Sequence, residues 1–372
     1  MKKICLSFIL TVTVITCCAQ SLTIHANITG FKDSTQVILY ESATQSNIDS
    51  TVIVNNKFSF KHKVTTEPAN YWLEVRADGK LYYTIVMVGN DDVTLSGDKN
   101  DMPWNMKVKG PESERVFQLL YNDKLQVLHV QRDTLVMQAM SMHGDSAQIK
   151  SRLIWNKIKK IDSADRVLRN QFIHNHLNSY LALDELFYQK AMYTTDSLQH
   201  MYNSLLPKYK NSSYGKRIGV YLKVGDELKE GDNFVDFSGF DKNGKLHKVS
   251  EIKGRYVLLD FSGTYCGPCV MSVKDMRNLN KKYVDNLSII TVSQDVSKAM
   301  WMEGVNRDKP EWLSLWDGKG ITGETSMKYG VMGIPDFCLI DPQGKIIARI
   351  TGYSDGYLEK RISEILDKHP LP

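Results

Sequence analysis

The 372-residue sequence predicts a multi-domain protein: an N-terminal all-β, sandwich-like domain, a helical middle segment and a C-terminal α/β domain with a mixed sheet. Three observations carry that prediction. The chain is longer than a single core of ordinary size organises. Its apolar residues alternate with period two as far as Ser96, then take a helical period from Glu112 to Leu206. Beyond that, short apolar runs and amphipathic runs alternate to the end of the chain. The expected divisions are a leader at 1–19, the β domain at 20–106, the helical segment at 107–222 and the α/β domain at 228–372.

The leader is read first because it is not fold. Lys2 and Lys3 precede an apolar run from Ile4 to Ile15, followed by Thr16, Cys17, Cys18 and Ala19. A charged start, an apolar stretch and a small-residue zone form the layout of a secretory signal peptide. The run is too short to span a bilayer. Cleavage after Ala19 leaves a mature chain beginning at Gln20; lipidation of Cys17 or Cys18 is the alternative end, that of a lipoprotein. Either outcome implies export to the periplasm or cell envelope.

Composition narrows the class. Hydrophobic residues at 42% and charged residues at 24% suffice for real cores. The net charge of +5 is small for this length, and Lys and Arg are scattered, so no nucleic-acid partner is expected. Of the six cysteines, Cys5, Cys17 and Cys18 fall in the leader, leaving Cys266, Cys269 and Cys338. An exported chain this poor in cysteine does not use disulfides as a scaffold. A bridge between Cys266 and Cys269 closes too small a loop to stabilise much, so the pair points to chemistry.

In the β domain, strands are expected at 23–28, 36–40, 50–54, 57–61, 71–75, 82–88 and 93–96, with Asn55-Asn56 turning between two of them. His25 and His62 stand alone on strands and suggest no chemistry. In the helical segment, Val116, Leu119, Leu120, Asp123 and Val127 begin an amphipathic stripe. Ile149, Leu153, Ile154, Ile158 and Ile161 form a second, and Leu181, Leu186 and Phe187 belong to a third. Pro111 suits a helix start and Pro207 marks an exit. His174 and His176, two apart on a helix, point to different faces and make a poor metal pair. Met137, Met140 and Met142 read as adaptable packing. Residues 209–229 read as a polar, glycine-containing connection.

The last domain opens with Phe234 to Phe237 and a hairpin turn at Asp241-Lys242-Asn243-Gly244-Lys245. The run Tyr256 to Phe261 suits a strand buried on both faces, Cys266 to Tyr283 a helix, and Leu287 to Val292 a second buried strand. Phe337 to Ile340 and Lys345 to Ile350 form a hairpin, and an amphipathic helix covers Tyr357 to Leu366. Cys338 reads as a buried, inert thiol and Asp295 as a loop carboxylate.

Chemistry concentrates where the strand ending at Phe261 gives way to a helix. Thiol exchange requires a thiolate attacker and a second thiol near enough to resolve the mixed disulfide. Cys266 at a helix N-terminus meets free amides that favour a negative sulfur. Cys269 follows one turn deeper. Pro268 suits the first turn because it has no amide hydrogen to leave unpaired, and Gly267 leaves the attacking sulfur open. Half of a zinc site is the competing reading of the pair, but the domain's histidines, His247 and His369, offer no matching ligand spacing. No metal or other cofactor is expected.

With Asp260-Phe261 leading into Cys266-Gly267-Pro268-Cys269, the domain resembles the thioredoxin superfamily. The Gly231-Asp232 and Asp236-Phe237 lead-in resembles its exported, TlpA-like branch, similar members of which carry a β-rich domain and helical segment ahead of the thioredoxin-like part in Gram-negative bacteria. The close resemblance covers 228–372. It implies a redox disulfide between Cys266 and Cys269, and a buried acid at Asp260 that takes the proton from Cys269. It further implies a substrate-binding loop at Ile334-Pro335, whose proline is cis in the family, with Tyr265, Gly267 and Pro268 beside it. Tyr265 stands where the family usually has tryptophan, and Val270-Met271-Ser272 departs from its usual charged residues.

The expected function is that of an exported thiol–disulfide oxidoreductase reducing disulfides of exported proteins, supplied with electrons by a membrane thiol donor. A peroxiredoxin-type peroxidase is an alternative; that chemistry usually places threonine three residues before its attacking cysteine, where this chain has Gly263. A binding protein with an accessory redox site is a third reading. Neither the substrate nor the oligomeric state is legible.

Overall fold

The computed structural model describes residues 21–42, 46–64, 67–142, 147–252 and 254–369. The predicted leader, with Cys5, Cys17 and Cys18, and the side chain of Ile149 lie outside the described residues. The main division into compact units falls between Arg115 and Val116.

The N-terminal domain is a β sandwich. Its strands are β1 (Leu22–Thr29), β2 (Gln36–Glu41), β3 (Ser46–Val52), β4 (Lys57–His62), β5 (Ala69–Ala77), β6 (Lys80–Val88), β7 (Asp92–Asp98) and β8 (Lys107–Lys109). They form two four-stranded sheets, ordered β4-β1-β7-β8 and β3-β2-β5-β6. Strict alternation along β1 sends Leu22, Ile24, Ala26 and Ile28 inward. There they meet Leu39, Tyr71 and Leu73 in one core. Asn55 and Asn56 both adopt positive φ (51° and 63°), the geometry a two-residue hairpin turn demands. Two details depart from the sequence reading. β3 begins four residues early, and the short β8, too brief to show a period, completes one sheet edge.

The helical segment comprises α1 (Glu112–Leu120), a π turn (Tyr121–Leu125), α2 (Gln126–Met140), α3 (Ala147–Asn175), α4 (Tyr180–Tyr188), α5 (Thr195–Asn203), α6 (Pro207–Lys210) and α7 (Ser213–Val224). The π turn inserts a residue into the 3.6-residue count and rotates the inward face. Val116 and Leu120 are buried as the stripe requires, but Leu125 takes the next inward place, and Leu119 and Val127 are exposed. In the second stripe Ile154 and Ile158 are buried while Leu153 is exposed. Met137 and Met140 are also exposed, so they do not pack as expected.

The expected loop at 209–229 is mostly helix. Pro207 opens α6 rather than ending a helix, and Ser212 caps α7 by accepting from the Gly215 amide. Gly215 is there for close approach and not for breaking: a Cβ on it would stand 2.2 Å from the Tyr209 carbonyl oxygen.

A buried polar network ties the helices together. The Arg169 guanidinium donates to both Glu185 carboxylate oxygens (2.7 and 2.8 Å), to the Tyr121 hydroxyl (3.0 Å) and to Asp165 (2.6 Å). His129 meets the other Asp165 oxygen at 2.9 Å. Burial alone would raise the Asp165 carboxyl, but these two partners hold it at about 2.

The C-terminal domain contributes β9 (Ser238–Phe240), β10 (Leu246–Lys248), β11 (Tyr256–Ser262), α8 (Gly267–Lys282), β12 (Leu287–Ser293), α9 (Lys298–Asp308), β13 (Leu313–Trp316), α10 (Glu324–Lys328), β14 (Asp336–Ile340), β15 (Ile346–Thr351) and α11 (Tyr357–Leu366). The seven-stranded sheet runs β10-β9-β13-β12-β11-β14-β15. Its centre is parallel from β11 to β13, and β14 returns antiparallel beside β11. This is the expected mixed sheet, with β13 added where the four residues from Leu313 to Trp316 gave no clear run. Helices α8 and α11 pack on one face over Leu258, Ile289 and Leu339; Leu259, Phe261 and Ile290 face the other. All residues of β11 but the last are buried, so the strand is fixed in register from both sides.

Two stability outcomes follow. Gly215→Ala should cost about 2 kcal/mol or more in denaturant titration, since backbone must move to admit the methyl. Asp165 is held below its unfolded value, so its contribution is present above about pH 4 and disappears as pH falls toward 2. Asp165→Asn should therefore destabilise the protein by about 2 kcal/mol at pH 7, the deficit closing in acid.

Candidate active site

The end of β11 and the start of α8 build the site. β11 delivers Asp260 into the core and stops at Ser262, and four residues later α8 begins with Cys266 as its N-cap. Cys266 and Cys269 are joined by a disulfide, with their Cα atoms 5.2 Å apart. The two sulfurs differ in access. Cys266 is partly exposed, whereas Cys269 is buried (2% exposed). The Cys269 amide donates to Cys266 Sγ at 3.2 Å, a charge-stabilising contact at the positive end of a sixteen-residue helix. Pro268 occupies the first turn, and nothing crowds the position of a Cβ on Gly267. Across from the disulfide, the Ile334 carbonyl oxygen lies 3.6 Å from Cys266 Sγ, and the Ile334-Pro335 peptide is cis. Tyr265 is exposed, its hydroxyl donating to Glu303 at 2.8 Å.

Asp260 is 1% exposed. One carboxylate oxygen accepts from the Thr291 hydroxyl at 2.8 Å, and the other has no hydrogen-bond partner among the described residues. Burial pushes this carboxyl up to about 7 against the opposing effect of Thr291, with the negative Asp308 adding to the rise. Asp260 lines a cavity of about 40 Å³ shared with Val273 and Met276 of α8, Thr291, Trp312 and Asp308. That volume admits a water or two.

Sequence reasoning missed what holds the turn. Asp295, expected to be a loop carboxylate, is buried. It accepts from the Thr264 amide (3.1 Å), the Ser293 hydroxyl (2.8 Å) and, at 2.9 Å, Thr264 Oγ1. Thr264 Oγ1 is also 2.8 Å from the Met300 carbonyl, and the Thr264 carbonyl accepts from Arg307 at 2.6 Å. The signal for this lay in Ser293 and Asp295, polar residues at alternate positions off the end of a buried strand. Gly263 has its own reason: a Cβ there would stand 2.8 Å from Ile334 Cδ1. Cys338, on β14, is buried, and burial pushes its thiol up to about 12. His174 packs edge-on to Tyr193 and His176 stacks on Phe172. Among the described residues no group of three or more His, Cys, Asp or Glu is arranged to hold a metal ion.

A disulfide at a helix N-terminus, one sulfur open and one buried, on a mixed sheet of this order, defines a thioredoxin-like protein of thiol–disulfide exchange. A thioredoxin-like family model matches residues 254–346, and a domain of unknown function (DUF4369) matches residues 22–117. The chain is 30% identical over 130 residues to the thioredoxin-like protein YneN of Bacillus subtilis, covering 34% of this chain and 74% of that one. It is 32% identical over 139 residues to the thiol-disulfide oxidoreductase ResA of Bacillus thuringiensis, covering 36% and 76%. A solved thiol-disulfide oxidoreductase from Bacteroides fragilis is 26% identical, covering 36% of this chain and all of that one, with a TM-score of 0.33. The chain belongs to the thioredoxin-like family of thiol–disulfide oxidoreductases, with a β-rich domain and a helical segment ahead of the family's fold.

Because the folded protein raises Asp260, it holds a proton there that the unfolded chain releases between about pH 4 and 7. Stability therefore falls as pH rises through that window, and the burden is complete above 7. Asp260→Asn should raise the stability of the oxidised protein by about 3 to 5 kcal/mol at pH 8, with little change at pH 4, in denaturant titrations at both values.

Proposed function

We propose that the protein is exported and reduces disulfides of other exported proteins, with Cys266 as attacking thiol, Cys269 as resolving thiol and Asp260 as proton acceptor. The observation that carries the reading is the asymmetry of the pair: a helix-capping, accessible Cys266 joined to a buried Cys269. In the dithiol form the Cys266 thiolate attacks one sulfur of the substrate disulfide. That S–S bond breaks, a mixed disulfide forms, and the released substrate thiolate takes a proton. Cys269 then gives its proton to Asp260 and attacks Cys266 Sγ. The mixed bond breaks, the second substrate thiol leaves, and the Cys266–Cys269 disulfide remains. Two electrons and two protons have passed to the substrate, and a thiol donor must restore the dithiol.

Asp260 suits its role because its pKa near 7 lets it accept and return a proton at neutral pH. The Ile334 carbonyl beside Cys266, with Pro335, Tyr265, Gly267 and Pro268 around it, supplies the edge on which a substrate polypeptide lies. Export rests on the leader at 1–19, with Cys17 or Cys18 as the alternative lipid anchor, and implies a membrane thiol relay as donor. Among the described residues no helix is long and apolar enough to cross a membrane. The peroxidase alternative is not favoured: the position its threonine would take, Gly263, packs against Ile334.

Three measurements test this reading. The Cys266–Cys269 couple should titrate near the reducing end, about −270 mV; a value near about −120 mV overturns the reductase direction. Cys269→Ser should accumulate mixed disulfides on Cys266 in cells, and Cys266→Ser should accumulate none. Asp260→Asn should slow release of the mixed disulfide at pH 7 by a factor on the order of 10 to 100, leaving the first attack near normal in stopped-flow traces.

A further inference from the structure

The segment leading into the redox loop is held by the helical region as well as by its own domain, whose core takes Tyr329 and Val331. Lys223 of α7 pairs with Glu324 of α10 at 2.8 Å. Met327 of α10 is buried in the core built by α3, α4, α5 and α7. The Lys328 ammonium donates to the carbonyls of Val224 (3.1 Å) and Asp226 (2.7 Å), and the Leu228 amide donates to the Lys328 carbonyl. The series continues toward the disulfide. Gly330 turns with φ +65°, and Glu227 Oε2 stands 2.8 Å from where its Cβ would be. Two residues on, Met332 Sδ lies against Lys190 Nζ, and two further, the Ile334 carbonyl oxygen lies 3.6 Å from Cys266 Sγ.

Lys190 is unusual in this series. Its side chain is 4% exposed, yet its ammonium is paired with Glu227 Oε1 at 3.1 Å and lies 5.0 Å from the ring centres of both Phe187 and Tyr221. A buried lysine is a weak contributor to stability, because desolvation offsets most of its attraction to a partner. What it does supply is position. One rigid cation is engaged at once by α4, α7, the 227 carboxylate and the loop that faces Cys266. Met332 itself is 38% exposed, so its inner end is fixed while its outer surface remains open.

We propose that Lys190 is a positioning residue for polypeptide disulfides: from the helical segment it fixes Met332, and so sets the edge of residues 330–335 against which a substrate chain lies while its disulfide meets Cys266. A small disulfide needs only Cys266 and makes no use of that edge. This rests on the reductase reading, and the inference gives the helical segment a part in choosing macromolecular over small substrates.

The experiment compares reduction of insulin with reduction of 5,5′-dithiobis(2-nitrobenzoate) by the full chain, in wild type, Lys190→Met and Glu227→Gln. Lys190→Met keeps the apolar stem and removes the charge. Leu198→Ala, in the same helical core but away from the loop, serves as a matched destabilised control. The expected result is a KM for insulin raised five-fold or more in Lys190→Met and Glu227→Gln. The small disulfide should be reduced at the wild-type rate, the Cys266–Cys269 potential should be unchanged, and Leu198→Ala should behave as wild type on both substrates. Equal kinetics of Lys190→Met and wild type on insulin overturn the proposal. So does a parallel loss on both substrates, or an insulin defect that Leu198→Ala reproduces, since each marks a structural role alone. Should Lys190→Met fail to fold, the Glu227→Gln comparison decides by the same criteria. A wild-type dithiol inert toward both substrates overturns the reductase reading itself, a result distinct from any variant effect.

Discussion

The site depends on how Thr264 is fastened. Between the end of β11 and the first turn of α8 the chain has four residues in which to reverse from a buried strand into a helix whose cap is Cys266. Thr264 is the point where that reversal is pinned, with its amide on Asp295, its hydroxyl between Asp295 and Met300, and its carbonyl on Arg307. These partners come from the loop after β12 and from α9, so the position of Cys266 is referred to the half of the sheet opposite β14 and β15. The buried Asp295 is tolerable because three protein donors surround it. Asp260, six residues before Cys266, has one donor for two oxygens and pays for it in pKa. Two buried acids that line the same cavity thus differ in their hydrogen-bond donors, and Asp295, with more of them, anchors the turn.

Much of the C-terminal domain was legible because its signals are local. Tyr256 to Phe261 is apolar at every position but Asp260, Cys266 to Cys269 carries its own helix-start chemistry, and Tyr357 to Leu366 repeats with a clean helical period that the structure reproduces residue for residue. Sandwich strands were legible from alternation, their ends less so. What escaped reading depends on non-local contact. The π turn at Tyr121–Leu125 shifts the buried face of α1 and α2 by a residue, and no window of hydrophobicity registers that. Gly215 and Gly219 in α7 look like loop residues until the Tyr209 carbonyl and the Tyr202 ring are seen against them. Asp295 resembled any loop acid because its partners come from three separate stretches of chain.

Placement of the helical segment bears on why the domain is not a bare oxidoreductase. The loop to Pro335 has anchors in its own domain, where Tyr329 and Val331 are buried. In addition, α10 is pinned to α7, Met327 is committed to the helical core, and the carboxylate of Glu227 fills the space beside Gly330. Each contact is modest, but they follow one another at intervals of a few residues along a single path, so the loop is ordered before any substrate arrives. Preorganisation of this kind shifts cost from binding to folding.

The burial of Asp260 places a pH-responsive charge beneath the disulfide. Burial raises the carboxyl to about 7, well above the usual carboxylate range, against a single hydrogen bond from Thr291. The two forms are not equivalent partners, because one is ready to take a proton and the other already holds it. The cavity beside the disulfide therefore gains or loses a negative charge in a pH range where an exposed carboxylate stays ionised.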